Sequence, residues 1–185
     1  MIITISGSPG SGKTTVAKLV AKKLKMKHYS LGDFMGGIAI DKGISLLELS
    51  KLAEKSDEID KALDDKQISL GKKEDNFIID SRLGWHFIPR SIKIFLNADI
   101  NEAAKRIFSC SRKDEKENTS LKKTLENIKK RIASERKRFR EYYGLDIYKK
   151  QNYDIWIDTT DLGIKDVVKK LIGLIISADN KDYKE

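Results

Sequence analysis

The stretch "GSPGSGKT", residues 7–14, decides the fold. It matches G-x-x-x-x-G-K-[S/T], a pattern in which consecutive backbone N–H groups curl around an anion and glycines leave room for its approach. An apolar, β-branched run precedes it at residues 2–5, and a run with apolar residues at helical spacing follows it at residues 15–24. Strand, loop and helix stand in the order that aims a helix N-terminus at phosphates, so the sequence predicts a nucleotide site here.

Four further short stretches predict the other strands of a sheet. They are residues 27–31, 76–81, 91–98 and 153–159. Helical patterns separate them, and strands that alternate with helices form a parallel sheet with helices on both faces. We therefore expect an α/β fold, the three-layer P-loop NTPase fold with a parallel five-stranded sheet. Ligands of such sheets bind at the carboxyl ends of the strands. Those ends are residues 7–14, 30–33, 80–82 and 158–160.

Length and composition narrow the class of protein. A chain of 185 residues fits one domain. It opens on the first strand without a charged leader, and no apolar run approaches the length of a membrane span. The single cysteine, Cys110, cannot form an internal disulfide, which fits a reducing compartment. We expect a cytoplasmic protein that has no membrane contact.

The basic charge indicates an anionic partner. The formal net charge is +9, and residues 129–140, "KKRIASERKRFR", hold seven Lys or Arg and one Glu. This positive charge would suit either a nucleotide or a nucleic acid as partner. A solvated, ion-paired surface would have the same composition.

The residues after the third strand indicate what happens to the terminal phosphate. A signalling GTPase would carry N-K-x-D, and "DNKDY" (179–183) lacks the final Asp at the right place. A motor ATPase would carry a water-polarising Glu beside the acidic strand end, where this chain has Asp80 and then Arg82. A guanidinium there suits a second anion better than it suits the activation of water. The pattern favours phosphoryl transfer to an anionic acceptor.

Four more stretches carry a recognisable pattern: "YSLGD" (29–33), "FIIDSRLGW" (77–85), "ERKRFREYYGLDIY" (135–148) and "NYDIWIDTT" (152–160). They resemble the nucleoside monophosphate kinases, and most of all the archaeal-style cytidylate kinases. The resemblance spans nearly the whole chain. It implies ATP-dependent phosphorylation of CMP, dCMP or UMP, giving ADP and the diphosphate.

The same resemblance implies how the single domain of residues 1–185 is divided. The core comprises residues 1–32, 74–105 and 144–180. A helical insertion that binds the monophosphate lies at about 33–70, and a mobile helical lid lies at about 106–140.

Motif and resemblance together assign the donor side. ATP is expected to lie on Gly7, Ser8, Pro9, Gly10, Ser11, Gly12, Lys13, Thr14 and Thr15. Lys13 is expected to reach the β- and γ-phosphates. Thr14 is expected to ligate Mg²⁺, while Asp33 and Asp80 orient metal-bound waters.

The acceptor side is assigned in the same way. Arg82 is expected to grip the acceptor phosphate, with Ser30, Asp33 and Asp80 as further acceptor-binding residues. By resemblance, Asp146 orients an arginine or touches the acceptor base. The lid supplies cations that close on the transferring group and exclude water. These cations are Arg106, Arg112, Arg131 and Arg138.

One departure from the family keeps alternatives open. The family usually has an arginine after the Gly-acidic pair, where this chain reads "FMGG" (34–37). A kinase of AMP or of another small anionic metabolite therefore stays possible. A nucleic-acid-associated ATPase, motivated by residues 129–140, is less favoured. We expect a monomer whose partners are ATP and a monophosphate, with no nucleic acid.

Overall fold

The computed structural model describes residues 1–53, 55–110 and 118–182. The strands are β1 (Ile2–Gly7), β2 (Lys27–Ser30), β3 (Phe77–Asp80), β4 (Ile92–Asn97) and β5 (Ile155–Asp158). The helices are α1 (Lys13–Leu24), α2 (Leu31–Asp41), α3 (Leu46–Ala53), α4 (Glu58–Lys73), α5 (Gly84–Phe87), α6 (Ile100–Cys110), α7 (Leu121–Tyr143) and α8 (Ile164–Asp182).

The five strands form one parallel sheet in the order β2-β3-β1-β4-β5, which confirms the predicted architecture. Strand β1 is central, and all six of its residues are buried. In the pairing of β1 with β3, Ile5 lies opposite Asp80. This register brings the loop after β1 and the acidic end of β3 to the same edge of the sheet.

Alternation along β1 divides the core into two layers. Ile3 and Ile5 face one side, where they join the apolar faces of α1 and α8. Ile2 faces the other side, where it packs in a cluster that includes Leu31 of α2 and Leu63 of α4. Successive side chains of a strand point to opposite faces, so a buried central strand needs helices on both. The result is the predicted three-layer arrangement.

Three helices, α2, α3 and α4, lie between β2 and β3, in the region where the resemblance predicts the insertion. At its second helix, Ser45 N donates to Glu48 Oε2 at 2.7 Å, and Glu48 N donates to Ser45 Oγ at 3.1 Å. These reciprocal bonds confirm the capping box that the sequence shows at this position.

Helix α7 closes over this insertion. It begins after Ser120, whose hydroxyl accepts from Lys123 N. Near its other end, the Tyr142 hydroxyl donates to Ala53 O and the Tyr143 hydroxyl donates to Asp64 Oδ2. The division into core, insertion and lid stays a prediction. Helix α6 runs through the predicted core–lid boundary at residue 106.

The described ranges contain neither a membrane-spanning helix nor a clustered set of metal-ligating side chains. No helix there is long and apolar enough to cross a bilayer. No group of three or more His, Cys, Asp or Glu side chains there is placed to hold a metal ion.

Candidate active site

The loop after β1 forms an anion cradle from main-chain groups. A Cβ on Gly7 would lie 2.5 Å from Leu96 O, so only glycine allows β1 and β4 to approach this closely. Gly10 has φ +72, and a Cβ there would lie 2.7 Å from the backbone and side chain of Ala103 in α6. The loop therefore rests against α6 with no space between them.

A cavity of about 430 Å³ opens above this cradle. The loop and the start of α1 form its floor. Its walls come from α6, α7 and the chain after β5. The lining residues are Ser8, Pro9, Gly10, Ser11, Gly12, Lys13, Thr14, Thr15, Val16, Arg82, Arg106, Ile107, Ser109, Cys110, Arg131, Thr159, Leu162, Gly163, Ile164 and Val167. We call it the donor cavity. All predicted ATP-binding residues after Gly7 line it, and Gly7 lies beneath it at the end of β1.

Asp80 is completely buried at the end of β3 and joins the cradle to the sheet. Its Oδ1 lies 2.8 Å from Lys13 Nζ, its Oδ2 accepts from the Thr14 hydroxyl, and the Ser30 hydroxyl donates to Oδ2 at 3.4 Å. Burial alone would raise the pKa of Asp80. The charge of Lys13 and the hydrogen bonds from Lys13 and Thr14 outweigh burial and hold this pKa below its ordinary value. Asp80 is therefore a carboxylate at neutral pH.

This pair of oxygens fits Mg²⁺. The Thr14 hydroxyl and the Asp80 carboxylate lie in contact at the start of α1, and hard oxygen donors of this kind are what Mg²⁺ prefers. A P-loop site needs few protein ligands because phosphates and waters complete the coordination.

Arg82 lies at the centre of the site rather than in solvent. Its side chain is 14 % exposed, and its Nη1 donates to Gly7 O. Its Nε lies 3.0 Å from Glu135 Oε2, and its Nη2 donates to Glu135 Oε1 at 3.2 Å. Arg131 Nε contacts the same Glu135 Oε1 at 3.3 Å. Burial would raise the pKa of Glu135, but the charges of Arg82, Arg131 and Arg138 keep it below its usual range.

A second, smaller cavity of about 80 Å³ lies on the other side of Arg82. Helices α2, α3, α4 and α7 and the end of β3 enclose it. Its lining residues are Lys13, Leu31, Gly32, Met35, Leu46, Ser50, Asp60, Leu63, Asp64, Gln67, Ser81, Arg82, Leu83, Arg131, Glu135, Arg138 and Phe139. We call it the acceptor cavity. Three cations line both cavities: Lys13, Arg82 and Arg131.

The other predicted lid cations lie apart from this shared set. Arg106 lines only the donor cavity, where its Nη2 donates to the carbonyls of Thr159 and Thr160 at 2.8 and 2.9 Å. Arg138 lines only the acceptor cavity, where its Nε lies 3.0 Å from Asp60. Each guanidinium contacts a partner away from the junction of the cavities, and the predicted role of each at the transferring phosphate stays a prediction. Arg112 lies outside the described residues.

Three predicted carboxylates line neither cavity: Asp33, Asp80 and Asp146. Asp80 still contacts the cradle residues Lys13 and Thr14. Asp33 is the third residue of α2, its backbone N–H donates to the Ser30 hydroxyl, and its carboxylate pairs with Lys18 at 3.0 Å. Asp146 accepts from Tyr148 N at 3.0 Å and lies 3.9 Å from Arg140. These contacts give Asp33 and Asp146 a place in local turns and surface pairs. Their predicted roles at the metal and at the acceptor stay predictions.

Comparison with known proteins decides the family. The family model described as the cytidylate kinase-like family matches residues 2–161. This chain belongs to that family.

Several curated relatives of the family are similar over almost their whole length, and all three described here carry the name cytidylate kinase. The Sulfurisphaera tokodaii protein is 39% identical over 174 residues, 93% of each chain. The Sulfolobus acidocaldarius protein is 40% identical over 177 residues, 95% of this chain and 94% of the relative. The Natronomonas pharaonis protein is 37% identical over 186 residues, 98% of this chain and 94% of the relative.

Solved structures agree with the fold. An uncharacterized protein from Eubacterium ventriosum superposes with a TM-score of 0.67 at 21% identity, covering 96% of this chain and 99% of that one. Shikimate kinase from Aquifex aeolicus superposes with a TM-score of 0.60 at 22% identity, covering 97% and 98%. At these identities the likeness shows the P-loop kinase fold of the family and nothing of the acceptor.

Sequence reasoning missed four residues that line the acceptor cavity: Asp60, Asp64, Gln67 and Glu135. The first three share one face of α4 with the buried Leu63. Polar residues at core-facing helical positions are the signal that could have found them. Glu135 is the one acidic residue in the basic run at 129–140, and that position among cations is the signal that could have found it.

Proposed function

We propose that this protein transfers the terminal phosphoryl group of ATP to CMP or dCMP, with UMP as a further candidate acceptor, and releases ADP and the nucleoside diphosphate. The observation that carries the proposal is the set of three cations, Lys13, Arg82 and Arg131, that line both cavities. Two anionic phosphates repel each other, and shared cations at their junction are what allows them to meet. The family and the cytidylate kinase relatives supply the acceptor class.

On the donor side, the loop amides and the N-terminus of α1 bind the β- and γ-phosphates of ATP. Burial lowers the pKa of Lys13, and Arg82 lowers it further, against the opposing pull of Asp80. A phosphate beside Lys13 favours the charged ammonium, so bound nucleotide and charged lysine stabilise each other.

On the acceptor side, Arg82 holds the monophosphate while Glu135 fixes the orientation of the guanidinium. The Arg82 Nη2 group donates to Glu135 Oε1, and the Arg82 Nε lies 3.0 Å from Glu135 Oε2, so these two contacts restrict the guanidinium to one orientation at the junction of the cavities. A guanidinium presents N–H donors in a fixed planar fork that matches a phosphate, which is why arginine suits this place.

The transfer is a simple displacement. An oxygen of the acceptor phosphate attacks the γ-phosphorus, the bond from that phosphorus to the β–γ bridging oxygen breaks, and ADP leaves with the bond's electrons. The nucleophile is already anionic, so no strong general base is needed. The barrier falls through alignment and charge neutralisation by Lys13, Arg82 and Arg131.

Thr14 and Asp80 would hold Mg²⁺, which supplies charge neutralisation at the β- and γ-phosphates when bound. Helix α7 and the insertion enclose the acceptor cavity, which limits the access of water to the γ-phosphate.

We further infer that the protein acts as a monomer in the cytoplasm. Both cavities are lined by a single chain, so neither needs a second copy. The exposed thiol of Cys110 suits a reducing compartment.

A coupled assay of ADP formation across CMP, dCMP, UMP, AMP and GMP tests the proposal. We expect ADP release to depend on added CMP or dCMP and on Mg²⁺, and to stay near background with GMP. A rate that no monophosphate increases would contradict it. A preference for AMP would change the proposed acceptor but not the proposed phosphoryl transfer.

A further inference from the structure

We propose that Asp64 and Gln67 read the Watson–Crick edge of the acceptor base, accepting cytosine and rejecting uracil. The inference rests on the proposed function and names the residues that give it specificity. Asp64 supplies a hydrogen-bond acceptor, and Gln67 supplies a donor.

The position of both residues follows from helical spacing. Residues 60, 63, 64 and 67 fall on one face of α4, and all four line the acceptor cavity. Leu63 is buried in the core that faces the sheet. A polar side chain on such a face is costly unless a partner satisfies it, so each polar residue here must be accounted for.

Asp60 already has a charged partner within the protein. Its Oδ2 lies 3.0 Å from Arg138 Nε, and both side chains are 5 % exposed. Arg138 also donates to Ser50 O at 3.4 Å, which ties this pair to α3. The pair forms one wall of the cavity.

Asp64 keeps one carboxylate oxygen available. The Tyr143 hydroxyl donates to Oδ2, and within the described residues no hydrogen bond reaches Oδ1. The Tyr143 bond fixes the rotation of the carboxylate, because only one oxygen can face the tyrosine. The other oxygen is left to accept from a ligand in the cavity.

Gln67 is oriented in the opposite sense. The Ser81 hydroxyl donates to Gln67 Oε1, and the same hydroxyl accepts from Leu83 N at 3.2 Å. With the carbonyl occupied, the amide nitrogen of Gln67 has no hydrogen-bond partner elsewhere in the described chain, and it is the group left to donate into the cavity. Gln67 is 2 % exposed, so a ligand in the cavity is the partner it can find.

An acceptor beside a donor matches cytosine. The base presents an exocyclic amine, which donates, next to N3, which accepts, and an aspartate accepting from cytosine N4 is a known mode of base recognition. Uracil presents O4 and N3–H at the same places. It would set an oxygen against the Asp64 carboxylate and an N–H against the Gln67 amide, and such a mismatch leaves buried polar groups unpaired.

Adenine offers the same order of donor and acceptor as cytosine, so size must exclude it. The acceptor cavity measures about 80 Å³, against about 430 Å³ for the donor cavity. Apolar side chains from α2, α4, the chain after β3 and α7 help to enclose it: Met35, Leu63, Leu83 and Phe139. A flat single ring suits these walls better than a purine.

The electrostatics of Asp64 agree with this role. Burial raises its pKa to about 6, the nearby Asp60 and Asp65 add to the rise, and Tyr143 and Arg138 oppose it. A carboxylate whose charge is disfavoured in the empty cavity gains most from a donor brought by a ligand.

The test compares kcat/KM for CMP and UMP in the wild type and three variants. Asp64→Asn keeps an oxygen for Tyr143 and can turn an amide N–H toward uracil O4. We expect the CMP/UMP ratio to fall roughly 10- to 100-fold. Gln67→Glu replaces the donor by an acceptor and should lower the ratio in the same direction. Asp65→Asn makes the same chemical change on the exposed side of α4 and should leave the ratio within about twofold of wild type.

A pH series on the unaltered protein gives a readout that no folding defect can disturb. The CMP/UMP ratio should fall as pH drops from 8 to 5.5, because protonation of Asp64 removes the acceptor. The phosphates of CMP and UMP titrate alike and cancel in the ratio.

The outcomes separate the two proposals. If the wild type phosphorylates no monophosphate, the proposed function fails. If the wild type phosphorylates CMP but Asp64→Asn lowers kcat/KM for CMP and UMP equally, Asp64 does not recognise the base. A CMP/UMP ratio that is constant with pH would lead to the same conclusion. The proposed kinase activity would be unaffected by either result.

Discussion

The two cavities offer phosphate groups different parts of the protein: main-chain groups on the donor side and side chains on the acceptor side. The donor cavity is floored by the main chain of one continuous stretch, residues 8–16, with three glycines in residues 7–12. The acceptor cavity is lined by residues from five helices, α1, α2, α3, α4 and α7, and from the chain after β3. A cradle of amides binds any phosphate chain, whereas side chains brought together from distant segments distinguish one acceptor from another. Phosphate binding is therefore encoded by a local stretch of sequence, whereas selection of the acceptor depends on the tertiary structure.

Buried charge also divides the two regions. The donor cradle relies on backbone dipoles and adds one buried ion pair, Lys13 with Asp80. The acceptor side holds a chain of charges in which Glu135 contacts Arg82 and Arg131, and Arg138 contacts Asp60. Removing one member of such a set leaves its partners uncompensated. Substitutions among the charged residues of the acceptor side should therefore couple to one another, as should those of Lys13 and Asp80, whereas substitutions of the cradle glycines should act alone.

The largest effect is expected for Arg82→Ala, which removes the cation between the two regions. The rate with CMP should fall roughly 10³-fold, because an arginine at the transferred phosphate contributes on that scale. The affinity for ATP, measured by calorimetry, should change little. Arg90→Ala removes an exposed arginine that pairs with Asp75 and should leave both unchanged. Equal loss of ATP binding and rate would show that Arg82 belongs to the donor side alone.

Gly10→Ala should damage the donor side only. The left-handed backbone at φ +72 and the contact with Ala103 both oppose a Cβ, so ATP affinity should fall roughly 10-fold or more. The CMP/UMP ratio of the remaining activity should be preserved, and a changed ratio would break the separation of the two regions. Gly37→Ala, in α2 with nothing within 4 Å of the added Cβ, is the matched control and should stabilise the protein slightly.

Glu135→Gln should lower the free energy of unfolding by about 3 kcal/mol, since Arg82 and Arg131 lose their shared anion. The pKa of Glu135 is held below its ordinary 4.5, so its contribution is present above that pH and is lost as the pH falls through the depressed folded-state pKa. Denaturant titrations between pH 7 and pH 3 should therefore show a smaller difference between wild type and variant at low pH. A constant difference would mean that charge is not the cause.

The smallest effect is expected for the stability of Asp64→Asn. The pKa of Asp64 is raised from 3.8 to about 6, so the ionised form opposes folding, and the stability present below 3.8 is lost as pH rises through about 6. The variant should melt a few degrees above wild type at pH 8 and close to it at pH 4. A lower melting temperature at pH 8 would mean that the carboxylate stabilises the empty cavity.

The cradle was predictable because its physics is local. Glycines at fixed spacing, a lysine and a threonine after a buried strand indicate one geometry, and the structure has it. The five-stranded sheet followed from alternating apolar runs, and Asp80 and Arg82 lie at a strand end as the sequence predicts.

The acceptor cavity was not predictable to the same degree. Asp64 meets Tyr143 and Arg82 meets Glu135 only after α7 folds over the insertion. Asp33 and Asp146 look functional from their place in motifs, and in the structure the Asp33 carboxylate pairs with Lys18 while the Asp146 carboxylate accepts from Tyr148 N, so their functional roles stay predictions. A sequence shows which polar residues are present, and long-range packing decides which of them share a cavity.

Gly10 and Ala103 meet with no room for an added methyl, although they lie in separate parts of the chain. Neither position can grow without displacing the other. Across relatives these two sites should drift together, staying small as a pair or enlarging only where α6 has shifted outward. An attempt to change the shape of the phosphate-binding loop should therefore begin with α6, the helix against which Gly10 packs.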